Sequence, residues 1–298
     1  MSRHIKVYTL RNVFCKQNIF YNWTFKQESN PFEEKQRFYK NVLSMLQSIF
    51  QLNIRIFSKY EYAYVCNNWS NGFYHWVAEV LPRIIYLSNE YPNLKFIFPF
   101  ELDSHYHFSS LKFLGIDFEV DKKKWKYFSK VYVSQKDLRT TGSHNFNDLN
   151  LLKLKFEPPF SASRSNFRVY IVRNVLKRVV VNDVEIIQIF RDRGYQILEL
   201  ENLSFFDQIQ HFVRANTIVS IHGAGLTNMI FMPPKSLVLE FIKPTELQKT
   251  CYANLSVVLG HEYLHFDGIP SGQFTSYQDC NLYIDPIALI SFLNNHNL

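Results

Sequence analysis

The run Thr217-Ile218-Val219-Ser220-Ile221-His222-Gly223-Ala224-Gly225-Leu226-Thr227-Asn228 narrows the possible folds more than any other stretch of the chain. Thr217 to Ile221 are mostly β-branched and apolar, which reads as a parallel strand covered on both faces. The chain then turns sharply into a short apolar helix stopped by Pro233 and Pro234. Such a corner has two readings. In one, Gly223 and Gly225 let a ligand approach the backbone, and the free amides at the helix start, from Ala224 on, attract an anion such as a diphosphate. In the other, the glycines only close a tight turn. His222 favours the first, because it sits just past the strand's carboxyl end, where open α/β sheets place ligands. Asn228 stands where the dinucleotide fingerprint needs a third glycine, and no acidic residue is in place about 20 positions on, which argues against a nicotinamide or flavin cofactor.

Strands and helices alternate cleanly around this corner. Strands are expected over 167–173, 195–200, 236–241 and 263–266, and helices over 183–193, 204–215 and about 247–259. Asn182 and Glu185 form a capping box at the start of the first of these helices. Repeated βα units of this length make a doubly wound parallel sheet. Arg173, Lys177 and Arg178 follow the first strand, so three cations lie along the same sheet edge as His222, where they can clamp phosphate oxygens. An exposed basic loop is the plainer reading.

The amino-terminal half is less regular. Strands are expected over 5–10, 19–25, 53–57, 61–66, 94–98, 118–120 and 127–133, with helices over 33–50 and 108–114. Between them, Asn68 to Arg83 reads as a loop turning at Asn71-Gly72 into a helix that carries His75 and Glu79 on one face. That pair suits a general base for a hydroxyl. The alternative is that His75 caps the helix while Glu79 is an exposed partner of Arg83. Pro82 should kink the helix or begin a new turn. The stretch 155–166 reads as a linker, giving domains 1–160 and 161–298.

The 298 residues are 47% hydrophobic, enough for two ordinary cores, and a net charge of +7 with pI near 9.1 raises the possibility of nucleic-acid binding. The basic residues are mostly spread along the chain, which weakens that reading. No apolar run is long enough to span a bilayer and no signal-peptide core follows Met1, so a cytoplasmic protein is expected. Cys15, Cys66, Cys251 and Cys280 show no metal-ligand spacing and read as buried thiols. Among the 28 Phe and 18 Tyr most are core, and some aromatics can serve as sugar-stacking platforms.

Three blocks resemble glycosyltransferase family 61. They are Phe73-Tyr74-His75-Trp76 with Glu79 and Leu81-Pro82-Arg83; Tyr170-Ile171-Val172-Arg173 through Lys177-Arg178 to Asn182-Asp183; and His222 to Asn228 through Pro233-Pro234 to Leu239-Glu240. The resemblance implies an inverting transferase of GT-B architecture, with two Rossmann-like domains whose parallel sheets face across a cleft, no metal and no other cofactor. It implies a nucleotide-sugar donor, mostly UDP-linked and carrying xylose, arabinose or N-acetylglucosamine, and a glycan or glycoprotein acceptor. A bacterial or large-virus enzyme fits the absence of an anchor. Donor contacts are then implied for Arg173, Lys177, Arg178, His222, Gly223, Ala224, Gly225, Leu226, Asn228 and Glu240, the last on a ribose or sugar hydroxyl. Acceptor contacts are implied for Tyr74 and Arg83. Glu79 is the preferred base, with His75 second. The chain departs from the family pattern at Val172, where serine is usual, at Lys177, where arginine is common, and at Lys235, where glycine is frequent. The rival classes are a nucleic-acid binder, an NAD-dependent sugar-modifying enzyme and an inactive transferase-like scaffold.

Overall fold

The computed structural model describes residues 5–16, 19–21, 27–29, 53–55, 60–98, 102, 104–123, 125–134, 144–156, 167–175, 177–244, 251–272 and 280–298. The chain divides into two compact units, Met1–Thr141 and Gly142–Leu298. The helix Phe146–Phe156 therefore groups with the second unit, although it precedes the linker from which the 160/161 division was read. Linker residues 157–166 and the helix expected over 33–50 lie outside the described residues.

In the first unit, β1 (Tyr8–Lys16), β2 (Ile19–Tyr21), β3 (Gln27–Ser29), β4 (Asn53–Arg55), β5 (Glu61–Tyr64), β6 (Leu94–Phe98), β7 (Phe118–Val120) and β8 (Trp125–Val133) form one sheet. Its order is β3-β2-β1-β8-β5-β6-β7, with β4 also beside β8. Strands β8, β5, β6 and β7 are parallel, while β1 pairs antiparallel with β8 and with β2, and β2 with β3. The sheet is thus mixed, not wholly parallel as expected. Only two residues separate β1 from β2, far short of the dozen or so that a parallel crossover needs, so the pair must form a hairpin.

From the carboxyl end of β5 the chain enters α1, which is α-helical over Phe73–His75, widens to a π-helix over Trp76–Val80, and is α-helical again over Leu81–Glu90. The wide turn is where Pro82 disturbs the ladder. Pro82 lacks an N–H, and the amide of Leu81 just before it bonds Trp76 O, five residues back. A new α-turn then begins around Pro82, as the sequence suggested. Fully buried Trp76 anchors α1, its indole N–H donating to Ser110 Oγ (3.0 Å) in α2 (His105–Phe113). Truncating a side chain of this size in a core costs about 3–5 kcal/mol.

The second unit opens with α3 (Phe146–Phe156) and continues through β9 (Phe167–Val172), α4 (Asp183–Asp192), β10 (Gln196–Glu199), α5 (Phe205–Phe212), β11 (Ala215–Ile221), β12 (Leu237–Ile242), α6 (Cys251–Leu259) and β13 (Glu262–Asp267). The strands are all parallel, in the order β10-β9-β11-β12-β13. In chain order this is 2-1-3-4-5, a doubly wound sheet whose direction of growth reverses between β9 and β11, the point where such sheets bind ligands. The short strands β14 (Ile269–Ser271) and β15 (Asn281–Tyr283) pair with each other before α7 (Pro286–Asn295). Helices α4 and α7 cover one face, where Ile186, Phe190, Leu289 and Leu293 join Tyr170, Val219, Leu239 and Phe241 in one core. On the other face α3, α5 and α6 each pack against the 3₁₀ helix Ala224–Phe231.

Two local expectations are refined. Ser204 caps α5 as its position predicts, accepting from the Asp207 amide at 3.2 Å. Asn182 does not cap α4. Its side chain is taken up by the backbone of Ile284, donating to its carbonyl (2.8 Å) and accepting from its amide (3.1 Å), which ties the carboxyl-terminal segment to the sheet. Among the described residues no helix is long and apolar enough to cross a membrane.

Candidate functional site

In the second unit the corner after β11 is built as a rigid concave edge. His222 N–H donates to Phe241 O (3.0 Å), extending the ladder one residue beyond β11, and Gly223 then runs extended (φ 171°) into the 3₁₀ helix. Leu226 N–H closes the first turn onto Gly223 O (3.1 Å), so its amide is used internally. The amides of Ala224 and Gly225 precede that bond and have no intrahelical acceptor. The two glycines serve different ends. A Cβ on Gly225 would press against Leu200 (3.1 Å) and Ile171 (3.4 Å), which is core packing. A Cβ on Gly223 would fall 1.8 Å from Nη1 of Arg173, so this glycine makes room for a guanidinium.

Arg173, just past the end of β9, is thus held against the corner across the reversal point of the sheet. Its neighbour is Arg178, a half-buried residue in the left-handed region (φ 56°), a strained conformation that clusters at functional sites. Burial lowers the pKa of Arg173, and the like charge of Arg178 lowers it further, against smaller opposing effects of Glu201 and Tyr252. Among the described residues neither guanidinium makes a hydrogen bond or ion pair, and the Nε atom of each is buried without a partner. Two like charges packed together on a sheet edge beside unbonded amides form an electrostatic cradle for an anion. Lys177 lies exposed one residue before Arg178.

Glu240 lies beneath His222. It is fully buried, one oxygen 2.5 Å from His222 Nδ1 and the other accepting from the Tyr263 hydroxyl at 2.6 Å. In this position Glu240 orients His222. With Nδ1 turned inward to the carboxylate, the half-exposed imidazole presents its Nε2 edge outward, and Tyr252 packs edge-on against its ring (5.2 Å). Leu226 and Asn228 are also buried. Asn228 Nδ2 donates to Gly225 O and Gln208 Oε1, each at 3.1 Å, so both residues shape the corner from behind.

In the first unit His75 and Glu79 form the predicted pair, with Nδ1 to Oε2 at 2.9 Å. Their exposure differs: the His75 side chain is 21% exposed and that of Glu79 only 3%. Glu79 is therefore not the exposed salt-bridge partner of the plainer reading, and His75 is the member that meets solvent. Tyr74 is buried, its ring edge-on to His75 at 5.1 Å. Arg83, implied as an acceptor contact, is only 5% exposed, and none of its guanidinium nitrogens reaches a hydrogen-bond acceptor among the described residues. Burial lowers its pKa, while Glu79 and Cys66 support its charge. Burial also pushes the Cys66 thiol up to about 12.

Each unit thus holds a histidine whose Nδ1 is fixed by a buried carboxylate, His222 just past the end of β11 and His75 in the first turn of α1. Tyr252 and Tyr263, which complete the site in the second unit, carry no motif. They were legible only as residues of the predicted helix and strand that follow Glu240. Among the described residues no group of three or more His, Cys, Asp or Glu side chains could hold a metal ion.

A family model described as Glycosyltransferase 61 matches residues 73–239, more than half of the chain. The match starts at the first residue of α1 and ends one residue before Glu240. The chain is also similar to the alpha-1,3-arabinosyltransferase XAT3 of Oryza sativa subsp. japonica, 23% identical over 131 residues, which is 41% of this chain and 23% of that protein.

Proposed function

Because the chain belongs to glycosyltransferase family 61, we propose that it transfers a sugar from a nucleotide donor, UDP-linked, to a hydroxyl of a glycan or glycoprotein, with inversion at the anomeric carbon. The observation that carries this reading is Arg173 packed against Gly223, with the like charge of Arg178 acting on it, beside the amides of Ala224 and Gly225 at the reversal point of a 2-1-3-4-5 sheet. The leaving diphosphate needs positive charge as the bond from C1 to the phosphate oxygen breaks, and two guanidinium groups with two peptide dipoles supply it. We assign no metal to this step. His222, oriented by Glu240 and Tyr263, offers its Nε2 edge to the same diphosphate.

On the acceptor side we place His75 ahead of Glu79 as the base, a reading supported by its greater exposure. As the acceptor oxygen bonds to C1 its proton passes to His75 Nε2, while Glu79 holds Nδ1–H and stabilises the imidazolium that forms. Arg83 acts behind Glu79 as a buried counter-charge. The architecture we propose for the two units is of the GT-B class.

A thermal-shift panel of nucleoside diphosphates tests the donor half directly. A ligand at a hundred times its Kd stabilises the folded chain by about 2.7 kcal/mol. UDP should raise the melting temperature in wild type and fail to do so in Arg173→Ala/Arg178→Ala. A wild-type protein indifferent to every nucleoside diphosphate would remove the basis for a transferase.

A further inference from the structure

Trp69 stands exposed beside His75. It lies in the loop between β5 and α1 and is 59% exposed, although tryptophan is among the side chains most buried on average. Its indole is 6.2 Å from the His75 ring, centroid to centroid, and tilted 34° to it. The other indole of this segment, Trp76, is fully buried and hydrogen-bonded, as a core anchor should be.

Hydrogen bonds fix the backbone of the loop that carries the ring. Asn67 N–H donates to Ser70 Oγ (2.8 Å), and Asn67 Oδ1 accepts from both Trp69 N–H and Ser70 Oγ–H (3.0 Å each). Ser70 N–H bonds Asn67 O (3.2 Å), and Gly72 N–H bonds Trp69 O (3.0 Å). Asn67 and Ser70 are themselves buried, and the Tyr106 hydroxyl pins Asn71 O from α2 at 2.7 Å. The conformational cost of fixing a contact surface has therefore been met before any ligand arrives.

Resting on the transferase reading above, we propose that the indole of Trp69 is the seat of the acceptor, and that the acceptor group is a pyranose ring rather than a serine or threonine of a polypeptide. The hydroxyls of a pyranose leave one face lined by C–H bonds, and such a face stacks on the flat, electron-rich surface of an indole. A sugar seated on Trp69 spans the gap to the imidazole and brings a ring hydroxyl within hydrogen-bond reach of His75 Nε2. A peptide side-chain hydroxyl offers no such face. Trp69 sets which acceptor is held, and His75 performs the proton transfer.

The test is direct binding by the full chain, followed by calorimetry and indole emission, with and without saturating UDP. The probes are xylotetraose, cellotetraose, N-acetyllactosamine and a serine- and threonine-containing peptide. At least one oligosaccharide should bind and perturb the emission of wild type. Trp69→Ala should weaken that binding about tenfold or more, the factor that 1.4 kcal/mol represents, while Trp69→Phe, which keeps an aromatic platform, stays within a few-fold of wild type. The proposal is overturned if no oligosaccharide binds under either condition, if only the peptide binds, or if Trp69→Ala binds the sugar as tightly as wild type. Because the sugar titration without UDP reads the first unit alone, its outcome is independent of whether nucleoside diphosphates bind the second.

Discussion

Replacing Gly223 by alanine isolates the electrostatic cradle from the stability of the fold. The backbone there is extended (φ 171°), a conformation open to any residue, so the new methyl group creates no backbone strain. It does create a collision, because the Cβ falls 1.8 Å from Arg173 Nη1 and 2.9 Å from Cζ, well inside van der Waals contact. The obstructing atoms are the far end of a flexible side chain, so the guanidinium swings away and the melting temperature should move little. What is lost is one charge-assisted contact to the diphosphate, worth about 1.5–3 kcal/mol. That corresponds to a rise in Kd of about 10- to 150-fold for UDP by calorimetry. The decisive comparison is a double-mutant cycle. If Gly223→Ala acts only by displacing Arg173, adding it to Arg173→Ala should cost almost nothing more. Unchanged UDP affinity in Gly223→Ala, or additive losses in the cycle, would refute the reasoning.

Three further outcomes are expected. His75→Ala should lower kcat by about 10²–10⁴-fold, the usual range for a lost general base, while UDP affinity by calorimetry stays at the wild-type value. The raised thiol pKa of Cys66 favours the protonated form in the folded chain. Its contribution to stability is therefore complete below pH 9 and lost as pH rises towards 12, so urea titrations across that window should show a fall that Cys66→Ala makes shallower. Lys235→Gly should stabilise the chain by about 0.5–1 kcal/mol in the same assay, because Lys235 sits at φ 61°, where a Cβ is unfavourable and glycine is at ease.

Whereas α3, β14, β15 and α7 were not read, from β9 to β13 the second unit was legible in the sequence almost element by element, because buried parallel strands and amphipathic helices write their periods plainly. The run from Ala215 to Ile221 and the stripe of Phe205, Ile209 and Phe212 are examples. Lys235, where the resemblance read from sequence expects glycine, sits in the left-handed region. What periodicity could not reveal was which polar groups face inward. The carboxylate of Glu240, in a doubly covered strand, is buried and bonded to His222 and Tyr263, which its place at the end of a predicted strand could not tell. The depth of Glu79 and Arg83 was illegible for the same reason, since spacing along a helix fixes neighbours but not burial. Asn182 had the right spacing for a capping box, yet a strand segment a hundred residues later claimed its side chain. In the first unit the antiparallel edge formed by β1, β2 and β3 followed from hairpin length, a constraint that strand patterns alone do not carry.

A crystal structure of the chain soaked with UDP bears most directly on the central claim. The account predicts the diphosphate at the carboxyl ends of β9 and β11, with its oxygens within hydrogen-bond distance of the Ala224 and Gly225 amides and of the Arg173 and Arg178 guanidinium groups. A diphosphate bound elsewhere, with Arg173 and Arg178 turned away from it, would contradict it.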